Sequence, residues 1–247
     1  MDYATHIDAV AREAAAFTEA LGAGPVDVVV PSCPDWTVAE LAHHAGSFSA
    51  FWSHVLCEGS GRPKTPFVEP DATTDLGRWF DELAGYLVGE LRATPEDTAV
   101  WTWVPGQTTA RFPARRAANE LAMHRFDLQL ARATPKPIDS ALAVDGIEEI
   151  FMMIDGWRSQ PGGADAGSGT GETLHVHATD VDGGEWMVTL TPDGPDVERR
   201  HGKADLALRG AASDLELLLY QRPTLGAVER FGDESALAAW NRAFQFG

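Results

Sequence analysis

Two periods divide this chain. Through the first two-thirds, apolar residues return every three or four positions, the spacing of one helix face. Beyond residue 172 they return every second position, the spacing of a strand. The helical pattern runs first over residues 3–22 and stops at Gly22-Ala23-Gly24. "VDVVVPSCPDW", from Val26 to Trp36, carries two prolines and reads as an extended connector. Thr37 and Glu40 then have the spacing of a capping box, in which each side chain satisfies the other residue's backbone N–H. They open a second helix, "VAELAHHAGSFSAFWSHVLCEG". A polar, Pro-rich stretch from Gly59 to Thr74 separates it from a third, "DLGRWFDELAGYLVGELRAT". "AVWTWVPGQTTARFP" is a loop or short extended piece, in which Trp101 and Trp103 are expected to seal a wall between helices. A fourth helix, "ARRAANELAMHRFDLQLARAT", and a fifth, Ser140–Trp157, complete the helical part.

Residues 159–172, "SQPGGADAGSGTGE", are rich in glycine and small polar residues and predict a linker or loop. After them "TLHVHATD", "EWMVTLTPDG" and "ADLALRG" predict strands, while "AASDLELLLYQR" and "SALAAWNRAFQF" predict helices. The fold class is therefore α+β. A helical domain over 1–158 is followed by a small α+β domain over 173–247. No internal repeat is visible.

Composition narrows the function classes. Hydrophobic residues at 44% against 23% charged residues are enough to bury a core. The net charge of −18, with Arg115-Arg116 and Arg199-Arg200 as isolated basic pairs, argues against nucleic acid and anionic membranes as partners. No apolar run approaches the ~18 residues of a membrane span. The opening "MDYATHIDAVAREAAAF" starts acidic and reads as an amphipathic helix, not a signal peptide. Cys33 and Cys57 form neither a CxxC pattern nor a disulfide framework. Both are taken as structural, and a cytoplasmic protein is expected.

The candidate chemistry lies in the fourth helix. Glu120 and His124 are one turn apart, so their side chains share a face and can aim two donors at one point. A surface ion pair has the same spacing. Alanines and Leu128 on that face suit close packing or the floor of a pocket. The second helix offers His43 and His44, of which one faces inward. A histidine from that helix beside Glu120 and His124 makes a two-histidine, one-carboxylate set that suits zinc and leaves coordination positions open. Further on, His175 and His177 alternate on one strand. Two histidines at that spacing can bind a metal, but a half-exposed strand face is the preferred reading.

"CPDWTVAELAHHAG" and "ARRAANELAMHRFD" resemble two motifs of the mycothiol-dependent maleylpyruvate isomerase family: P-x-W-T-V-x-(D/E)-L-x-x-H-x-A-G and R-x-A-x-E-x-x-x-H-R-x-D. "LHVHATDVDGGEWMV" and "ADLALRGAASDLELLLYQR" resemble its C-terminal domain, so the likeness spans nearly the whole chain in order. The resemblance implies a DinB-like up-and-down four-helix bundle and a small α/β domain of sterol-carrier-like fold. It implies a metal held by His43, Glu120 and His124, with His43 chosen because it lies three residues before Gly46. Asp127, one turn after His124, is implied to orient a ligand. Arg222, near the end of the "DLELLLYQR" helix, is implied to complete the pocket and bind an anionic substrate.

The activity implied is that of a zinc-dependent isomerase or S-transferase using mycothiol as thiol cosubstrate. A thiolate attacks an electrophilic small molecule, either isomerising a cis double bond or staying attached. Two other classes are compatible with the same bundle. One is a metal-dependent hydrolase or lyase; the other is a non-catalytic binding protein with a structural metal.

Overall fold

The protein, described as a computed structural model, is resolved into structure over residues 1–59, 61–62, 70, 74–163 and 166–244. Most of the Pro-rich stretch 59–74, and the end of the last expected helix, lie outside the described residues.

Two compact units emerge, Met1–Lys136 and Pro137–Gly247. The first contains α1 (Tyr3–Gly22), β1 (Val29–Val30), β2 (Cys33–Thr37), α2 (Val38–Glu58), α3 (Leu76–Ala93) and α4 (Arg111–Ala131). The four helices form the expected bundle. α1 packs against α4 and α3, and α2 against α3 and α4, so α1 and α2 stand at opposite corners. The connector between them is a short antiparallel hairpin, β1 with β2, which lies against α2 and α4.

Local chemistry starts each helix where the sequence places it. Asp2 accepts from the Thr5 N–H ahead of α1, and Asp75 accepts from the Arg78 N–H ahead of α3. The Thr37–Glu40 capping box is present in full at α2. α4 ends in a Schellman turn: Ala133 has φ 56°, its N–H bonds to the Leu130 carbonyl, and the Thr134 N–H reaches Gln129.

α4 is buried on nearly every side, from Phe112 to Gln129. A helix so enclosed should carry few polar groups unless each is satisfied. Arg125 illustrates how this is met: it donates to Glu13 at 2.9 Å, to Gln129 at 3.0 Å and to the Lys136 carbonyl at 2.6 Å. At the other end, Trp101, Trp103, Phe51, Trp52 and Phe112 form one aromatic cluster with ring centroids 5.2–6.3 Å apart.

The second unit holds α5 (Ser140–Arg158), β3 (Thr173–Ala178), β4 (Glu185–Thr191), β5 (Gly194–Glu198), β6 (Leu206–Gly210), α6 (Ala212–Leu219), β7 (Glu229–Gly232) and α7 (Ser235–Ala243). The sheet order is β5-β4-β3-β6-β7, antiparallel except for the β3–β6 pair. Leu174, Val176 and Ala178 of β3 turn one way and are buried; His175 and His177 turn the other.

α5 packs on α6 and β5, and the compact units divide between Lys136 and Pro137, ahead of α5. An amphipathic pattern shows that a helix has a buried face but not what buries it. The Gly-rich residues after α5 then form a loop within the second unit. The N–H groups of Gly169 and Gly171 bond to Thr191 and Leu190. β5 and β7 are additional strands. Both lie at sheet edges; β5 carries Pro195 and β7 is exposed throughout, so neither shows the apolar alternation that marks a strand in sequence.

Candidate metal centre

Glu120 and His124 lie on the side of α4 that meets α2, and the histidine joining them is His44. Its Nε2 is 2.9 Å from Glu120 Oε1, and His124 Nε2 is 3.4 Å from the same oxygen. The donor atoms of all three residues lie within 4.8 Å of one another. His43, expected in this role, faces α3 instead, its ring stacked 5.9 Å from that of Trp79.

The reason is the rotation of α2. His43 and Gly46 are three residues apart and share a face. A Cβ on Gly46 would come within 2.2 Å of the Trp79 ring, so this face is pressed against α3. One residue further along, about 100° round the helix, points to α4. Phe48, one turn after His44, confirms the direction, because the Arg116 guanidinium of α4 lies over its ring at 5.9 Å.

Two of the three donors are backed by a second group. His124 Nδ1 is 3.0 Å from Asp127 Oδ2. An ionised carboxylate only accepts, so the ring donates from Nδ1 and keeps the Nε2 lone pair free. Asp127 is fully buried and fixed from its other side by the hairpin: Ser32 Oγ donates to Oδ1 at 2.6 Å, and Cys33 Sγ stands 3.7 Å from Oδ2. Arg116 pairs with Glu120 through Oε2, which leaves Oε1 for the histidines. Trp36, from the same hairpin, walls the site with its ring 4.9 Å from that of His44 and 6.2 Å from that of His124. Burial, and after it the repulsion that a protonated His124 and the Arg116 guanidinium exert on a charged ring, pushes the His44 pKa down to about 3. The ring is therefore neutral at physiological pH, the form that offers a lone pair.

This set fits a divalent metal. Zinc bound at 2.0–2.1 Å in a tetrahedron has donor–donor edges of ~3.3 Å, close to the separations around Glu120 Oε1. As a hydrogen bond the His44–Glu120 contact needs a proton on Nε2, and a metal takes that proton's place.

Residues 7–129 match the mycothiol maleylpyruvate isomerase N-terminal domain family. The chain belongs to the mycothiol maleylpyruvate isomerase family through this domain. Among solved structures it is similar to a mycothiol-dependent maleylpyruvate isomerase, at TM-score 0.62 and 15% identity, with 93% of each chain covered. A histidine-to-alanine variant of such an isomerase gives TM-score 0.63 at the same identity and coverage. At this identity the likeness establishes a shared fold over both units. No curated protein sequence matches the chain.

Seen against the family motifs, the difference is one of register within the second helix: counting back from Gly46 selects His43, whereas the α4-facing position is His44. Arg116 and Trp36 were missed although both sit inside the quoted motifs. Arg116 is four residues before Glu120, so its pairing was readable from helix spacing. Ser32 has no such signal, since its contact with Asp127 spans 95 positions.

Arg222 belongs to the second unit. α6 ends in a Schellman turn, with Gln221 at φ 60° and the Arg222 N–H bonded to the Leu217 carbonyl at 2.7 Å. The Arg222 side chain is buried and donates to the Tyr220 carbonyl at 2.9 Å. A cavity of about 570 Å³ in the first unit is lined by Glu40, His43, Asp75 and neighbouring apolar residues, and does not include the three donors. No helix of the described residues is long and apolar enough to cross a membrane.

Proposed function

We propose that this protein is a mycothiol-dependent isomerase in which His44, Glu120 and His124 hold a divalent metal, zinc by the character of the donors. The observation that carries the reading is the convergence of His44 Nε2, Glu120 Oε1 and His124 Nε2, with Asp127 behind His124. Membership of the family supports mycothiol as the thiol and a small electrophile as substrate. The name of the solved relatives supports an anionic substrate with an activated cis double bond.

The metal would lower the pKa of a bound thiol and so supply thiolate at neutral pH. The chain's own groups prepare for that. Asp127 keeps the His124 ring in one tautomer and one orientation. Arg116 holds Glu120 by one oxygen and fixes the other. One arginine, two carboxylates and a dication leave a single net positive charge, which one thiolate balances. Trp36 covers one side and limits access of water.

Addition of the thiolate to one carbon of the cis bond leaves a single bond that can rotate. Expulsion of the same thiolate then gives the trans product and returns the thiol. If the thiolate is retained, the outcome is S-transfer. We assign Arg222 to the substrate's anionic group, on the family resemblance. A charge-assisted contact of this kind contributes roughly 1.5–3 kcal/mol, or about ten- to a hundred-fold in kcat/KM.

The test uses the full chain purified without added metal. Metal content and cis–trans conversion of maleylpyruvate with mycothiol are measured for the wild type, His124→Ala and Arg222→Ala. His124→Ala should lose the bundle metal, one ion per chain, together with activity, and activity alone should fall in Arg222→Ala. Undiminished metal in His124→Ala overturns the assignment of the centre.

A further inference from the structure

The second unit contains another convergence of histidines around a carboxylate. His175 and His177 lie on one face of β3. Glu185, on β4, is the antiparallel partner of His177, and His201 lies on the connection after β5. His175 Nε2 is 3.7 Å from Glu185 Oε2, His201 Nδ1 is 3.3 Å from the same oxygen, and His177 Nδ1 is 3.3 Å from Oε1. The rings of His175 and His201 meet edge to face at 4.9 Å.

These separations are long for hydrogen bonds to a carboxylate, which close to about 2.7–2.9 Å when charge-assisted. They match the ~3.3 Å edges of a zinc tetrahedron. His175 sharpens the point. It is only 4% exposed, and its Nε2 is buried with no hydrogen-bond partner among the described residues. A buried ring nitrogen without a partner is costly unless something occupies the space it faces. What it faces is Glu185 and His201.

The loop that brings His201 is held in place. Arg199 donates to the Gly183 carbonyl at 3.1 Å, pairs with Glu148 and lies over the Trp186 ring at 5.2 Å. Arg200 pairs with Glu198 at 2.9 Å. Both cations beside the cluster are thus engaged with carboxylates of their own. A cavity of about 220 Å³, lined by His177, Glu185, Arg199 and Arg200, adjoins the cluster and leaves room for a water or a small anion as a further ligand.

We infer that His175, His201 and Glu185 form a second site for a divalent transition metal, with His177 at the other oxygen of Glu185 holding that carboxylate, and with zinc as the first choice for imidazole and carboxylate donors. It would tie β3, β4 and the β5–β6 connection together, and stabilise the second unit because the unfolded chain lacks the site.

The experiment is zinc titration of the metal-stripped full-length chain, with bound zinc counted by equilibrium dialysis and mass spectrometry. It compares the wild type, His124→Ala, His177→Ala/His201→Ala, and the combination. His177 is half-buried and His201 exposed, so their replacement should leave the fold, followed by far-UV circular dichroism, unchanged. The expected counts are two zinc ions in the wild type, one in each single-site variant and none in the combination. A wild type binding one zinc that survives His124→Ala and is lost in His177→Ala/His201→Ala supports this site and removes the bundle metal. No zinc retained in His124→Ala, or no loss in His177→Ala/His201→Ala, overturns it.

Discussion

The bundle cluster and the sheet cluster use the same kinds of donor but are built differently. In the bundle, two donors come from successive turns of one buried helix and the third from a facing helix. In the sheet, one comes from a strand, one from its neighbour and one from a loop. The larger difference lies behind the donors. His124 is backed by Asp127, which Ser32 holds in turn, and Glu120 is backed by Arg116. Among the described residues no carboxylate or carbonyl stands behind the three imidazoles of the sheet cluster. His201 is also largely exposed, its side chain 77% accessible. A group behind a ligand fixes its tautomer and orientation before any metal arrives, so less order has to be created on binding. The bundle is therefore the prepared site suited to chemistry, and the sheet cluster a looser one suited to holding structure.

The sharpest way to break this comparison is to remove a bundle donor. Polarisation by a metal contributes several kcal/mol to catalysis, so His44→Ala should lower kcat/KM roughly 10³-fold at ~1.4 kcal/mol per decade. His43→Ala should keep its metal, because its ring packs on Trp79. Metal loss in His43→Ala with retention in His44→Ala would restore the register drawn from the motif.

Removing the backing group should narrow the gap between the clusters. Asp127→Asn keeps the shape but removes the charge beside His124 Nδ1, and metal affinity should fall about 10–100-fold. Competition with a chromogenic chelator measures this. An unchanged affinity would mean that Asp127 serves only packing.

A smaller effect is expected from graded chelation of the wild type. The sheet site should empty first, at roughly tenfold lower chelator concentration than the bundle site, the low end of the difference attributed to backing groups. The opposite order, read from zinc counts in His124→Ala and His177→Ala/His201→Ala, would invert the comparison.

The last expected effect is on stability. Gly46→Ala places a methyl group against Trp79 and should destabilise the first unit by about 1–3 kcal/mol in urea unfolding. If α2 relieves the clash by rotating, metal binding at His44 should weaken as well. Unfolding and zinc titration of the same variant separate local strain from rotation.

What the sequence determined on its own was local. The Glu120–His124 pair, the Thr37–Glu40 cap and the division into helical and strand-rich parts all follow from spacings of two to four residues. Helix and strand geometry fixes these without knowledge of the rest of the chain. The family motifs added the identity of the fold and the kind of chemistry. Tertiary structure decided everything that depended on rotation or register. Whether His43 or His44 meets α4 turns on about 100° of rotation of α2, set by Gly46 against Trp79. That Ser32 meets Asp127 depends on a hairpin 95 positions away. That His177 lies opposite Glu185, with His201 beside them, depends on strand pairing and a loop, and no periodic pattern carries that information. α5 shows the same limit on a larger scale: its apolar stripe was legible, but the choice of α6 and β5 as its partners belongs to the packed structure.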